Sequence, residues 1–393
     1  MPRKSKARLM FTSRWMRWFL MRSACAAVPG LSTKLNIYSR GIQAAKIATT
    51  TIIENHEAMG FDALSDDLRQ NILLPAMAND AGETDSYPQS QTTVHTQGYV
   101  IDDCAILGHT MGVVHLPTQC RVMVDERQPN WNEAKPAQLA TRRGDGRAHY
   151  CLTSAPHYYH FFANDLAPLL YYLEHHRSAL GPLTIVAPAD APTFCRNVLE
   201  ALCASFDDLR VLYLERTERL DHIRALWLAR CGDTFEWMPI IRAQAEQLSD
   251  LLRDHYKLND APQGTHNKLY VTRGQARLRR LHNEAEVIEQ LTPLGFTVFE
   301  PRSDNHDQQV AHFRNADLVV AVHGAALTNL LFCKKGTVVV ELFASDHVKS
   351  PYLWLATRLG LEYRYVIGGT GDLRQGFSVG VGDVVEAVRS QLS

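Results

Sequence analysis

The sharpest chemical feature of the sequence is the run Asp317-Leu318-Val319-Val320-Ala321-Val322-His323-Gly324-Ala325-Ala326-Leu327-Thr328-Asn329. Five apolar residues, three of them valine, read as a buried strand, and the small residues that follow read as a tight turn into a helix. Gly324 and Ala325 let a ligand come close to the backbone. The N–H groups at the start of that helix, where Ala326, Thr328 and Asn329 lie, together with its dipole, suit a phosphate or diphosphate. His323, at the carboxyl end of the strand, can donate a hydrogen bond to such an anion. The plainer alternative is a tight strand-to-helix turn with a buried histidine.

Two arginines and one glutamate fall beside this turn if the strands are parallel. Strand 269–272 ends at Arg273, and Arg279 sits in the basic cluster Arg277-Leu278-Arg279-Arg280-Leu281-His282-Asn283-Glu284. Either guanidinium can clamp a diphosphate with its two-pronged fork, which a lysine cannot do. Glu341 lies in strand 337–342 and can accept from ribose hydroxyls. The patterns G-x-G-x-x-G and G-x-x-x-x-G-K-[ST] are absent, which argues against a dinucleotide-dependent dehydrogenase and a P-loop NTPase. In the amino half, Pro156-His157-Tyr158-Tyr159-His160-Phe161-Phe162-Ala163-Asn164-Asp165 opens a helix. His160 suits a general base at neutral pH, and Asp165 can orient it or serve as the base itself. No metal-ligand spacing such as H-E-x-x-H occurs, so no metal site is expected.

The elements that must position these residues alternate. Strands are predicted at 99–101, 111–114, 121–124, 183–187 and 211–214, with helices over 160–176, 193–204 and 239–256. Residues 127–148, rich in Arg, Asp and Gly, read as a surface loop, and Gln263-Gly264-Thr265-His266 as a linker. Beyond it the alternation tightens, with strands at 269–272, 296–299, 318–322 and 337–342 and helices at 284–294, 307–315, 325–332 and 382–391. Val-rich strands alternating with helices are the pattern of a parallel sheet covered on both faces.

A chain of 393 residues, 46% hydrophobic and 21% charged, has the size of two domains and is too apolar for a disordered protein. Its net charge of −1 gives no support for nucleic-acid binding, yet it hides a split. Residues 1–53 hold ten Lys and Arg and no acid, leaving 31 of the 41 basic residues against all 42 acidic ones. The expected organisation is a basic appendage over 1–60, an amino domain over 61–262 and a carboxyl domain over 263–393. Within the appendage, residues 1–30 combine Arg and Lys with Trp15, Trp18 and Phe19. They read as a helix lying on an anionic membrane surface, as a solvated tail, or as a secretory signal interrupted by Arg14 and Arg17. No apolar run is long enough to span a bilayer. Eight cysteines without a C-x-x-C pair fit a reducing compartment, and the expected location is cytoplasmic, peripheral on the inner face of the membrane.

Taken together and in order, these segments resemble glycosyltransferase family 61. The resemblance rests on Tyr270-Val271-Thr272-Arg273, Arg279 to Glu284, Ala316-Asp317 through Asn329, and Gly336-Thr337-Val338-Val339-Val340-Glu341. Tyr158 through Asp165, then Pro168, resembles its amino-domain signature, with Phe161 and Leu169 where the family pattern has Trp and Arg. The resemblance implies an α/β architecture of GT-B type, two Rossmann-like domains facing a central cleft. It implies inverting, metal-independent transfer from a nucleotide diphosphate sugar, usually a UDP-sugar, with no cofactor. The carboxyl domain would hold the donor and the amino domain a glycan or lipid-linked glycan acceptor. Bacterial members suggest a role in capsule, exopolysaccharide or lipopolysaccharide synthesis. The alternative is an inactive relative that binds nucleotide or glycan as a scaffold.

Overall fold

The computed structural model describes residues 41–43, 46, 48, 50–58, 64–73, 92–123, 139–153, 155–228, 242–259, 267–274 and 276–389. The expected membrane-surface segment 1–30 and the linker at 263–266 lie outside the described residues. The protein is α/β, built on two sheets.

The first sheet has ten strands: β1 (Gly41–Gln43), β2 (Thr50–Ala58), β3 (Thr92–Leu107), β4 (Gly112–His115), β5 (Cys120–Met123), β6 (Ala140–Arg143), β7 (Ala148–Cys151), β8 (Leu183–Pro188), β9 (Leu209–Leu214) and β10 (Glu218–Leu228). Its main path is β1-β5-β4-β3-β10-β7-β8-β9, with β2 on β3 and β6 on β10. The run β10-β7-β8-β9 is parallel, whereas β3, β4 and β5 pair antiparallel. The first half is thus a mixed sheet where a Rossmann-like unit was expected. Its cause is local, because turns of four residues join β3 to β4 and β4 to β5, and such short turns permit only antiparallel neighbours. Two further boundaries move. The β-branched run at 50–53 makes β2 part of this sheet, not of an appendage, and residues 140–143 form β6 within the expected loop.

The second sheet is wholly parallel: β11 (Lys268–Val271), β12 (Phe296–Phe299), β13 (Leu318–Val322), β14 (Val338–Phe343) and β15 (Glu362–Ile367), in the order β12-β11-β13-β14-β15. β13 and β14 are buried at every residue, as their continuous apolar runs require. Helices Glu284–Leu291 and Val381–Arg389 cover one face through Val287, Leu291, Val384 and Val388. Helices His306–Asn315 and Pro351–Arg358 and the turns of 325–332 cover the other through Val310, Phe313, Leu327 and Trp354. That second core is continuous with the first half, where Phe162 meets Phe332 at a ring distance of 6.1 Å.

Strand order reverses between β11 and β13, since β12 lies on one side of β11 and the later strands on the other. At such a switch point the connections leave to opposite faces, and a crevice opens at the carboxyl ends of the two strands. Those ends are followed by Arg273 and by His323-Gly324. The register also sets which side chains meet. Ala321 pairs with Glu341 and Val322 with Leu342, so strand alternation brings His323 to the face that carries Glu341 and Phe343.

The candidate active site

Arg273 leaves β11 and lays its guanidinium directly over Gly324. A Cβ on Gly324 would collide with that guanidinium, and this explains the glycine, since its φ of 164° is ordinary extended backbone. The Arg273 N–H donates to Glu284 Oε1 at 3.1 Å, and its Nη2 donates to the Leu278 carbonyl at 3.2 Å. Arg279 holds a left-handed backbone, φ 59°, fixed where its N–H donates to the Arg374 carbonyl at 2.9 Å. The Nε of both arginines is buried without a partner. Burial pulls the Arg273 guanidinium down to about 10 and lowers that of Arg279, and the neighbouring Arg279 charge adds to the shift at Arg273. Two partly desolvated guanidiniums that repel each other have the chemistry to take up an anion between them. They line an open cleft of about 490 Å³ with Ala325, Ala326, Tyr158 and Arg302, so both halves contribute walls.

The segment after Gly324 is 3₁₀, not α. Its first bond runs from the Leu327 N–H to the Gly324 carbonyl at 2.9 Å, so the amides of Ala325 and Ala326 precede the ladder. The positive charge at this end of the cleft therefore comes from the arginines more than from a long helix dipole.

His323 stacks on Phe343 at 5.3 Å, and its Nδ1 lies 2.6 Å from Glu341 Oε1. Glu341 is fully buried and also accepts from the Tyr363 hydroxyl at 2.6 Å. It therefore does not present itself to a ribose, contrary to expectation, because its place in the middle of a wholly buried strand turns it onto His323. Burial pushes Glu341 up to about 8, with Tyr363 and Arg279 pulling back. Burial, then Arg279 and Arg273, hold His323 well below its ordinary value. Both directions describe a neutral pair, in which the Glu341 carboxyl donates to Nδ1 and leaves the proton of the ring on Nε2. Thr328 and Asn329 are also enclosed, at 1% and 0% exposure. Thr328 faces the Tyr352 hydroxyl, and Asn329 spends its amide on the fold. These two residues stand behind the cleft.

On the amino side, the helix over 158–175 contains a π-helical segment, Phe161–Leu166, in which the Ala167 N–H donates to the Phe162 carbonyl. Pro168 follows and has no N–H to continue an α ladder, so the wider turn ends where the proline begins. Phe161 and Leu169 are buried in the core. Asp165, 1% exposed, accepts from the Thr153 N–H and hydroxyl, both at 3.2 Å. It fixes that loop from inside. His160 keeps part of its surface and receives the Asn164 amide on Nδ1 at 3.2 Å. With the amide in this orientation the ring proton sits on Nε2, and half a turn of the amide reverses it. His160 contacts Tyr159, which contacts Tyr352, which contacts His323, at ring distances of 5.1, 5.8 and 5.5 Å.

A second network, which no sequence pattern announces, joins the halves. The Tyr256 hydroxyl donates to His306 Nδ1 at 2.6 Å, and His306 Nε2 donates to the Tyr158 hydroxyl at 3.1 Å. Tyr158 donates to Asn329 Oδ1 at 2.5 Å, Asn329 Nδ2 to Gln309 Oε1 at 3.0 Å, and Gln309 Nε2 to the Arg302 carbonyl at 2.7 Å. Since Asn329 can only accept at Oδ1, every donor in the chain points the same way and the tautomer of His306 is set. Burial, with a smaller contribution from His255, pulls His306 down to about 3.

Among the described residues no three His, Cys, Asp or Glu side chains gather as a metal-ligand set, and no helix is long and apolar enough to cross a membrane. Known proteins supply the remaining information. Segments of the chain are similar to protein O-linked-mannose β-1,4-N-acetylglucosaminyltransferase 2 of dog, 38% identical over 114 residues, which is 27% of this chain and 19% of the relative. The mouse protein of that name is 37% identical over 113 residues, again 27% and 19%. The Xenopus laevis protein is 46% identical over 56 residues, 13% of this chain and 10% of the relative. The chain thus matches about a fifth of the length of the mammalian relatives. These relatives are vertebrate proteins and lend no support to a bacterial polysaccharide setting. Residues 158–340 match the family described as Glycosyltransferase 61. That span runs from Tyr158 at the cleft, through both arginines and Gly324, to the residue before Glu341, and it is a glycosyltransferase domain of family 61.

Proposed function

We propose that this chain is an inverting glycosyltransferase that moves a sugar from a nucleotide diphosphate sugar, a UDP-sugar, to a glycan acceptor. The observation that carries the reading is the pair Arg273 and Arg279, partly buried and mutually repelling at the carboxyl ends of the switch-point strands. A diphosphate leaving group develops charge as the sugar departs, and fixed guanidiniums stabilise that charge without reorganising. His323 Nε2–H adds a neutral donor from the same side. Inversion needs a base on the opposite face of the sugar. His160, on the amino half and joined to His323 through the rings of Tyr159 and Tyr352, is the proposed base; rotation of the Asn164 amide puts its proton on Nδ1 and makes Nε2 the acceptor. The proposed architecture is accordingly GT-B in type, donor on the parallel sheet and acceptor on the mixed one. The names of the relatives make N-acetylglucosamine the first donor sugar to try and a mannosyl glycan the first acceptor.

The test has two stages. UDP, GDP and TDP are titrated calorimetrically against the full chain, with and without divalent cation. UDP-N-acetylglucosamine is then incubated with mannosyl acceptors and the products resolved by mass spectrometry. A folded protein that binds none of the diphosphates sinks the reading. Binding without hydrolysis or transfer, across a donor panel, indicates a scaffold instead.

A further inference from the structure

A second cavity, of about 230 Å³, opens in the amino half between His109, Thr110, Arg121, Thr153, Asp190 and Arg216. It shares the Pro156 wall with the 490 Å³ cleft that holds the arginines. We propose that this cavity is the subsite for a sugar residue of the acceptor glycan, with His109 as its central hydrogen-bonding group. The inference rests on the transferase reading above and adds where the acceptor is held and by what chemistry.

Four observations carry it. First, both ring nitrogens of His109 are buried and without a partner. A buried polar group without a partner is costly and uncommon, and here two sit on one ring beside a cavity. Second, the ring is neutral: burial lowers His109, and Arg121 lowers it further. A neutral imidazole offers one donor and one acceptor on different edges, which matches a sugar hydroxyl pair that must both give and receive. Third, the remaining polar wall has the same mixed character. At the rim the Arg216 Nη2 lies 2.7 Å from Asp190 Oδ2, so a carboxylate acceptor and a guanidinium donor stand side by side. The volume is below the roughly 300–1,000 Å³ of pockets that take drug-sized molecules, and fits a single sugar ring. Fourth, Thr153 in the wall of the smaller cavity, three residues before the shared Pro156, is fixed by Asp165, which takes its N–H and its hydroxyl, while the Tyr150 hydroxyl donates to the Asp165 carbonyl at 2.8 Å. The enclosed aspartate of the amino signature thereby holds the wall along which the acceptor passes toward the donor.

The test uses the full chain and saturation-transfer NMR with methyl α-mannoside, methyl β-galactoside and methyl β-glucuronide, in the presence of UDP. At least one glycoside is expected to give ring-proton transfer. His109→Phe removes both ring nitrogens at similar ring size and is expected to abolish that transfer while UDP affinity, read by calorimetry, stays the same. Arg216→Ala alters only an exposed rim residue and keeps the test readable where the histidine variant does not fold; it is expected to weaken the glycoside about fivefold, the loss of one hydrogen bond. No transfer from any of the three glycosides to a wild-type protein that binds UDP overturns the proposal, as does transfer untouched by both variants. A wild type that binds no UDP sinks the donor reading instead, and the dependence on His109 still decides the cavity.

Discussion

The hydrogen-bond chain through His306 makes the stability of the protein depend on pH in a calculable way. His306 is 2% exposed, so solvent screening does little to weaken the effect. Its pKa in the folded protein is about 3, against about 6.5 in an unfolded chain. Below pH 6.5 the unfolded chain takes up a proton on this residue that the folded protein refuses, so stability is lost as pH falls and the loss levels off near pH 3. Between pH 7.5 and pH 5 the residue alone costs about 2 kcal/mol, and over the whole window about 5 kcal/mol. The physical cause is that His306 Nδ1 accepts from Tyr256 while Nε2 already donates to Tyr158. A proton on Nδ1 turns two donors against each other in a site closed to water. The assay is urea unfolding at both pH values for the wild type and for His306→Gln, which does not titrate in this range. The wild type is expected to lose about 2 kcal/mol more than the variant on acidification. Equal losses in the two proteins would refute the assignment of His306 as a neutral link between the halves.

Three further outcomes follow from the proposed donor cleft. Arg273→Ala is expected to weaken UDP binding by about 10- to 100-fold, the range for one charge-assisted hydrogen bond, and Arg273→Lys to recover only part of it; calorimetry reads both. Gly324→Ala places a methyl group where the Arg273 guanidinium lies, so it is expected to cost a similar factor with no change in fold by circular dichroism, and the double variant to cost little more than either single one. For Glu341 at about 8, raising the pH ionises the carboxyl, moves the proton of His323 to Nδ1 and removes the Nε2–H donor. UDP affinity is therefore expected to fall about tenfold from pH 7 to pH 9 in the wild type but not in Glu341→Gln, whose amide donates to Nδ1 at either pH, and parallel profiles would exclude the relay.

The second sheet is legible in the sequence because its strands need only one property. β13 and β14 are covered on both faces, so every position is apolar and a continuous Val-rich run declares them. β10 obeys a different rule and escaped. It mixes Arg219, Asp221 and Arg224 into an alternating strand, and Arg219 is 3% exposed because its Nε donates to Asp221 at 2.6 Å. A charge that brings its own partner into the interior erases the pattern that betrays a buried strand. The arginines and Gly324 were readable because strand ends in a parallel sheet share an edge. Glu341 was readable as an acid next to the turn but not as a buried one. The clue lay in its neighbours, since an acid within Val338–Phe343 must find partners inside the protein, and the partner supplied by register is His323. The Tyr158 network could not be read at all, as its members lie up to 171 positions apart and meet only where the halves dock.

The docking of the two halves also bears on how the cleft keeps its shape. Phe162, Phe194, Leu327 and Phe332 form an apolar contact between them, and apolar surfaces of this kind tolerate sliding and repacking. A fully paired polar chain does not, because each displaced member would leave a buried group without its partner. The chain from Tyr256 to Arg302 passes through Tyr158 and Gln309, both of which line the cleft, and it ends on the carbonyl of a third lining residue. The residues that lock the halves are thus walls of the space between them. A shift of one half against the other by the length of a hydrogen bond would break the lock and change the distance from His160 to the arginines at the same time. The separation between the amino-side face and the two arginines is therefore set by the fold before any ligand arrives, which is the condition under which fixed charges stabilise a developing one most effectively.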